Sequence, residues 1–100
     1  METPIACTLD ADSARARIEE WRAVGVRSVA RARRAGPGRL ELTLLADADV
    51  GSILGLAQQE LACCAFFRFS FRVAPESVTL VVGVPDEASS VLDQFASVVT

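Results

Sequence analysis

The sequence contains no histidine, lysine, asparagine or tyrosine. The lack of histidine removes the side chain that most often serves as a general base near neutral pH and that most often binds metal ions. Catalytic Ser–His–Asp and Cys–His arrangements are therefore excluded, and the sequence favours a binding protein over an enzyme. All ten basic residues are arginine, and the formal net charge of −3 argues against nucleic acid as a partner.

Long apolar runs are also missing. No stretch reaches the roughly 18 apolar residues of a transmembrane helix, so no membrane partner is expected. The first residues, METPIACTLDADS, lack the basic and hydrophobic regions of a secretory signal, which indicates a cytoplasmic location. Cysteine occurs three times, and an odd number in a cytoplasmic protein argues against a disulfide framework. Metal binding, redox chemistry and core packing remain open for these thiols.

The chain is long enough for one domain. Its 100 residues are 51% hydrophobic, which is enough to bury a core without disulfides or metal. We therefore expect a single domain over residues 1–100.

The first half of the chain alternates between strand and helix patterns. Residues 4–9 predict a strand, and Asp10 or Asp12 is expected to cap the helix that follows. In that helix Ala14, Ile18 and Trp21 form a buried stripe, and Gly25 is expected to close it. The solvated side of the helix is predicted to hold Arg15, Arg17, Glu19 and Arg22. Residues 26–35 and 39–45 predict a hairpin around Gly36-Pro37-Gly38.

The second half of the chain also combines helix and strand patterns. Asp47 or Asp49 is expected to cap a helix whose buried stripe comprises Val50, Ile53, Leu54, Ala57, Leu61 and Cys64. Alternating apolar residues then predict two strands joined by a turn, from Phe67 to Val73 and over residues 77–84. In the strands over residues 39–45 and 77–84, the alternation predicts that the inward faces comprise Leu40, Leu42, Leu44, Val78, Leu80, Val82 and Val84. A last helix begins at Pro85 and Asp86, and its predicted stripe comprises Ala88, Val91, Leu92, Phe95 and Val99.

The predicted element order is β-α-β-β-α-β-β-α. An antiparallel sheet with helices on one face buries all of the stripes, so the expected class is α+β. The first six elements match the ferredoxin-like βαββαβ order, to which a C-terminal strand and helix are added.

The stretch ELACCAFFRFSF, residues 60–71, places two cysteines after a carboxylate. On the second helix Cys64 continues the core stripe, whereas Cys63 lies about 100° round the axis, on an edge shared with Glu60. Cys7, near the end of the first strand, is expected to approach this pair.

Two or three thiolates suit a soft ion such as Hg(II), Cu(I), As(III) or Zn(II). The sequence therefore predicts a metal or metalloid site made by Cys7, Cys63 and Cys64, with Glu60 as an auxiliary ligand or local charge. Tetrahedral zinc would need a fourth ligand, which Glu60, Asp10 or water could supply.

Two other functions stay open. Cysteine also packs as a small hydrophobe, so the chain could be an interaction or dimerisation module with its cysteines in the core. It could also be a thiol redox sensor. A Cys63–Cys64 disulfide would be strained, whereas a bridge from Cys7 to Cys63 or Cys64 is geometrically easier.

Arginine and phenylalanine are clustered. Half of the basic residues lie around the first hairpin, namely Arg27, Arg31, Arg33, Arg34 and Arg39. They indicate either an anion contact or a charged edge that prevents sheet aggregation. Phe66 interrupts the alternation of Phe67, Phe69 and Phe71, and an open apolar face of this kind is compatible with a homodimer.

Four segments resemble a group of small, largely uncharacterised actinobacterial proteins. These are the ACTL at residues 6–9, the EWR at 20–22, the E-x-x-CC-x-FF-x-F motif at 60–69 and the VP-x-x-A-x-x-VLD-x-F motif at 84–95. The resemblance implies that Cys7, Glu60, Cys63 and Cys64 act as a set.

A fainter resemblance links two contexts to the organomercurial lyases. Cys7-Thr8-Leu9-Asp10 is similar to their C-x-L-D segment, and Cys64 before Phe66-Phe67 is similar to their second cysteine. That resemblance implies thiolates that bind mercury and an aspartate that protonates the departing carbon.

Overall fold

The structure is a computed structural model, and it describes residues 11–100, without the side chain of Ala11. Its elements are α1 (Ala11–Ser28), β1 (Val29–Gly36), β2 (Arg39–Leu44), α2 (Val50–Cys63), β3 (Arg68–Ala74), β4 (Ser77–Gly83) and α3 (Ser89–Val99). A short 3-10 turn, Asp86–Ala88, leads into α3. The strand predicted at residues 4–9 lies outside the described residues.

The four strands form one antiparallel sheet in the order β1-β2-β4-β3. Both predicted hairpins are confirmed, as is the α+β class. In the described sheet β2 lies between β1 and β4. In a ferredoxin-like sheet the place of β4 beside β2 would be taken by the first strand of the unit, which here is the strand predicted at residues 4–9. The tight turn between β1 and β2 requires glycine, because a Cβ on Gly38 would lie 2.3 Å from the carbonyl oxygen of Val84.

The helices cover one face of this sheet. Alternation directs Leu40 and Leu42 of β2, and Leu80 and Val82 of β4, into the core, where each is at most 1% exposed. They join one cluster with residues of all three helices and with Phe67. The predicted inward faces of these two strands are therefore confirmed, and no helix of residues 11–100 covers the opposite face of the sheet.

Helix α1 is longer than predicted. Ala14 and Trp21 are buried as expected, but the helix continues through Gly25 to Ser28. Gly25 serves close packing instead of termination, because a Cβ there would lie 2.2 Å from the carbonyl oxygen of Val99 on α3. The strand predicted from residue 26 accordingly begins at Val29.

The ends of the other helices differ in detail. Asp49 caps α2 by accepting a hydrogen bond from the backbone N–H of Ser52, which confirms one of the two predicted caps. Asp12 lies inside the first turn of α1, and Asp10 lies outside the described residues. Among the helices of residues 11–100, none combines the length and apolarity needed to cross a bilayer.

Candidate metal centre

The candidate site lies where the last turn of α2 packs against α1. The buried face of α2 comprises Ile53, Leu56, Ala57 and Glu60, whereas Leu54 and Leu61 are 47% and 40% exposed. The predicted stripe through Leu54 and Leu61 is therefore wrong in orientation. The helix turns Glu60 toward Trp21, so Glu60 is fully buried and not at an edge.

Glu60 is held by two donors from α1. The indole Nε1 of Trp21 donates a 3.0 Å hydrogen bond to its Oε1, and Nη1 of Arg17 donates to the same oxygen at 3.2 Å. The Arg17 side chain is only 11% exposed, so its predicted place on the solvated side is wrong. Burial of this guanidinium follows from its role as the counter-charge of a buried carboxylate.

The second carboxylate oxygen of Glu60 differs from the first in its hydrogen bonding. Oε2 of Glu60 is buried and has no hydrogen-bond partner among residues 11–100. Burial raises the pKa of Glu60, against the lowering effect of the Trp21 hydrogen bond and the Arg17 charge. An unsatisfied buried oxygen costs free energy, and such groups in native proteins often mark a functional site.

The two cysteines lie on either side of the end of α2. Cys63 is the last helical residue, and Cys64 follows as the cap residue, with its backbone N–H donating to the carbonyl oxygen of Glu60. Cys64 is 1% exposed, so its predicted burial is confirmed, although it packs from outside the helix. Cys63 is half-buried, and its Sγ lies 3.4 Å from the carbonyl oxygen of Gln59 and 3.6 Å from Nη1 of Arg17.

These three side chains form one cluster. One carboxylate oxygen of Glu60 and the sulfurs of Cys63 and Cys64 all lie within 4.8 Å of one another. Two sulfurs that each sit about 2.3 Å from a zinc ion are at most about 4.6 Å apart. Only small movements would therefore bring the three atoms into one coordination shell.

The two cysteines differ in redox state. Cys64 is disulfide-bonded, whereas Cys63 is a thiol. Cys64 can therefore supply a thiolate only after reduction. Cys7, the remaining cysteine of the chain, lies outside the described residues, as does Asp10, so their predicted approach to the pair stays a prediction.

Sequence reasoning missed Arg17 and Trp21 as members of this site. A signal was present, because residues four apart share one face of a helix. Arg17 therefore lies on the same side of α1 as the buried Trp21, and an arginine there needs a carboxylate partner. The partner is 43 residues away along the chain, so its identity depends on how α1 and α2 pack.

No protein-family model matches the chain, and no curated protein or solved structure matches it either.

Proposed function

We propose that the reduced protein binds one soft metal ion through the thiolates of Cys63 and Cys64 and a carboxylate oxygen of Glu60. Two observations carry this proposal: the ligand atoms of the group lie within 4.8 Å of one another, and the buried Oε2 of Glu60 has no hydrogen-bond partner among residues 11–100. A cation bound to this carboxylate would offset the cost of that unsatisfied oxygen. Cys7 as a third sulfur ligand remains a prediction from the sequence.

Charge favours a divalent ion. Two thiolates and one carboxylate carry three negative charges, and Arg17 beside them supplies one positive charge. The remaining charge of −2 matches Hg(II) or Zn(II) and would be only half neutralised by Cu(I). As(III) generally needs three thiolates, so its binding would depend on Cys7. Mercury(II) and zinc(II) are therefore the preferred candidates.

Native mass spectrometry of the fully reduced protein tests this proposal with Hg(II), Zn(II), Cu(I) and As(III). We expect one Hg(II) or Zn(II) ion per chain. Cys63→Ser and Cys64→Ser should each abolish that stoichiometric complex, and Glu60→Gln should weaken zinc binding by about tenfold. Binding that is unchanged in both cysteine variants would refute the site.

Glu20→Gln is a matched control. The Glu20 carboxylate lies 3.8 Å from Nε of Arg17 but outside the cluster, and it is exposed. Its neutralisation alters the surroundings of Arg17 without removing a proposed ligand, so affinity should change by less than about twofold. Circular dichroism of each variant separates lost binding from lost folding. Cys7→Ser then decides whether the third cysteine contributes.

A thiol redox sensor is the second candidate function, because Cys64 is disulfide-bonded beside the Cys63 thiol. A low-molecular-weight dithiol would reduce the bridge to two thiols and itself become a cyclic disulfide, so electrons and protons balance. Reduction would also release the Cys64 sulfur for metal binding. The two candidate functions therefore require different forms of the same residue.

Equilibration in glutathione redox buffers, with the thiols counted by alkylation and mass spectrometry, distinguishes the two. A midpoint within the cytosolic range of about −220 to −260 mV supports a sensor. A midpoint below about −300 mV indicates a structural bridge and argues against it. Cys63→Ser serves as the control, because the bridge of Cys64 should persist in that variant.

A further inference from the structure

The sheet face opposite the helices carries an arrangement of arginines that the candidate metal centre does not use. Cross-strand partners share a face, so the pairing places Arg33, Glu41, Val81 and Ser70 in one row across the sheet. A second row contains Arg31, Thr43, Thr79 and Arg72. A third contains Arg39, Gly83 and Arg68. Half of the chain's ten arginines therefore lie on one face.

Three of these arginines converge on a single carboxylate. Glu41 accepts hydrogen bonds from Arg33 at 2.9 Å, from Arg39 at 3.0 Å and from Arg72 at 3.3 Å. Arg33 and Arg72 reach it from the two edge strands, and Glu41 is only 9% exposed beneath them. These ion pairs fix three guanidinium groups over the centre of the sheet.

The guanidinium groups nevertheless remain accessible. The side chains of Arg33, Arg39 and Arg72 are 68%, 50% and 54% exposed. Each guanidinium has five N–H donors, and its hydrogen bond to Glu41 uses one nitrogen. Glu41 therefore holds the three guanidinium groups in place, while most of their N–H groups remain available to bind a ligand.

The face has a strong excess of one charge. Its three rows hold five arginines and one glutamate, for a net charge of +4, while the whole chain carries −3. The rest of the chain must then carry −7. Such separation orients the protein toward a negatively charged surface and speeds association with it.

We infer that this arginine face docks a protein segment rich in aspartate and glutamate. Arginine forks match carboxylates in geometry, and arginine is enriched where proteins bind one another. Nucleic acid is the less favoured occupant, because the rows contain no aromatic side chain on which bases could stack and the chain as a whole lacks the basic excess typical of nucleic-acid-binding proteins.

The proposed face and the proposed metal centre are separate. Glu60, Cys63 and Arg17 lie in the helical layer or at its end, whereas the five arginines lie on the other side of the sheet. Loss of docking therefore leaves the metal proposal intact, and loss of metal binding leaves docking intact.

Fluorescence anisotropy with a labelled 20-residue polyglutamate peptide tests the inference, with a 20-base-pair DNA duplex as the competing probe. We expect polyglutamate to bind more tightly than DNA and to weaken as salt rises from 50 to 200 mM. Arg31→Glu combined with Arg68→Glu should reduce affinity at least about tenfold, because it cancels the excess charge of the face. Both positions are exposed, so folding should survive.

The matched control reverses two arginines on α1, Arg15→Glu with Arg22→Glu. These side chains are also exposed, and the change in total charge is the same. Affinity should fall by less than about threefold if location, and not total charge, decides binding. Equal losses in both double variants, tighter binding of DNA, or no binding of polyglutamate at 50 mM salt would each overturn the inference.

Discussion

Trp21 and Glu60 are joined by a hydrogen bond between two side chains that are both completely buried. Since the chain has one tryptophan, its emission comes from the indole that contacts the candidate metal centre. This contact provides an internal reporter of events at Glu60.

Binding of Hg(II) or Zn(II) to the reduced protein should change the fluorescence of Trp21. A cation on Glu60 would alter the charge next to the indole N–H, so the signal should saturate at one equivalent of ion. Cys63→Ser should remove the saturable change, and Glu20→Gln should retain it. A signal that drifts linearly with added ion, in wild type and variant alike, would speak against a specific site.

The stability of the metal-free, reduced protein should decline with rising pH because of Glu60. Burial raises the pKa of this carboxyl above its ordinary value of 4.5, despite the lowering contacts from Trp21 and Arg17. The carboxyl therefore ionises at a lower pH in the unfolded chain than in the folded one. The free energy of unfolding accordingly falls as pH rises from about 4.5 through the raised pKa of the folded state. Urea unfolding of wild type and Glu60→Gln, measured over this range, should show the decline only in wild type. Parallel curves would contradict the expectation.

Glu41 should have the opposite effect on the pH dependence of stability, because its contribution is lost as pH falls. Hydrogen bonds from Arg33 and Arg39, assisted by Arg72, lower its pKa from 4.5 to about 2. The stabilisation is fully present above pH 4.5 and is lost as pH falls through about 2. Glu41→Gln should therefore flatten the acid limb of the stability curve, as followed by circular dichroism. Glu76→Gln, in the turn before β4, is an exposed control that should leave that limb unchanged.

Two glycine-to-alanine substitutions should have opposite effects on the stability of the fold. A Cβ at Gly25 would lie 2.2 Å from a backbone oxygen of Val99, so Gly25→Ala should destabilise the fold by about 1–3 kcal/mol or more. A Cβ at Gly55, within α2, would meet nothing within 4 Å, so Gly55→Ala should stabilise it by about 0.5–1 kcal/mol. Thermal and urea unfolding measure both. A neutral Gly25→Ala variant would mean that α1 and α3 separate easily.

The sequence predicted those parts of the fold that depend on local alternation. Leu40, Leu42, Leu80 and Val82 occupy their expected faces, because period-two patterns assign the inward side of a strand directly. Helix orientation was harder to predict. The pattern of α1 alone predicts that Arg17 faces solvent, because it contains no information about a carboxylate on another helix.

The candidate site was predicted only in part. Glu60, Cys63 and Cys64 come together as a group, but Glu60 lies in the core and not at an edge, and the place of Cys7 stays a prediction. Two factors decide this, the rotation of α2 about its axis and its packing against Trp21. Both depend on contacts between residues that are distant along the chain.

The end of α2 has a consequence for ion selectivity. The helix stops between the two donor sulfurs, and Cys64 has non-helical dihedral angles of −132° and 85°. One more helical residue would swing its side chain to a position about 100° round the axis from Cys63. In the proposed site, the distance between the two sulfurs is thus set by the backbone terminus and not by side-chain rotamers alone. A shift of that terminus by a single residue would change the ionic radius that the pair of sulfurs fits.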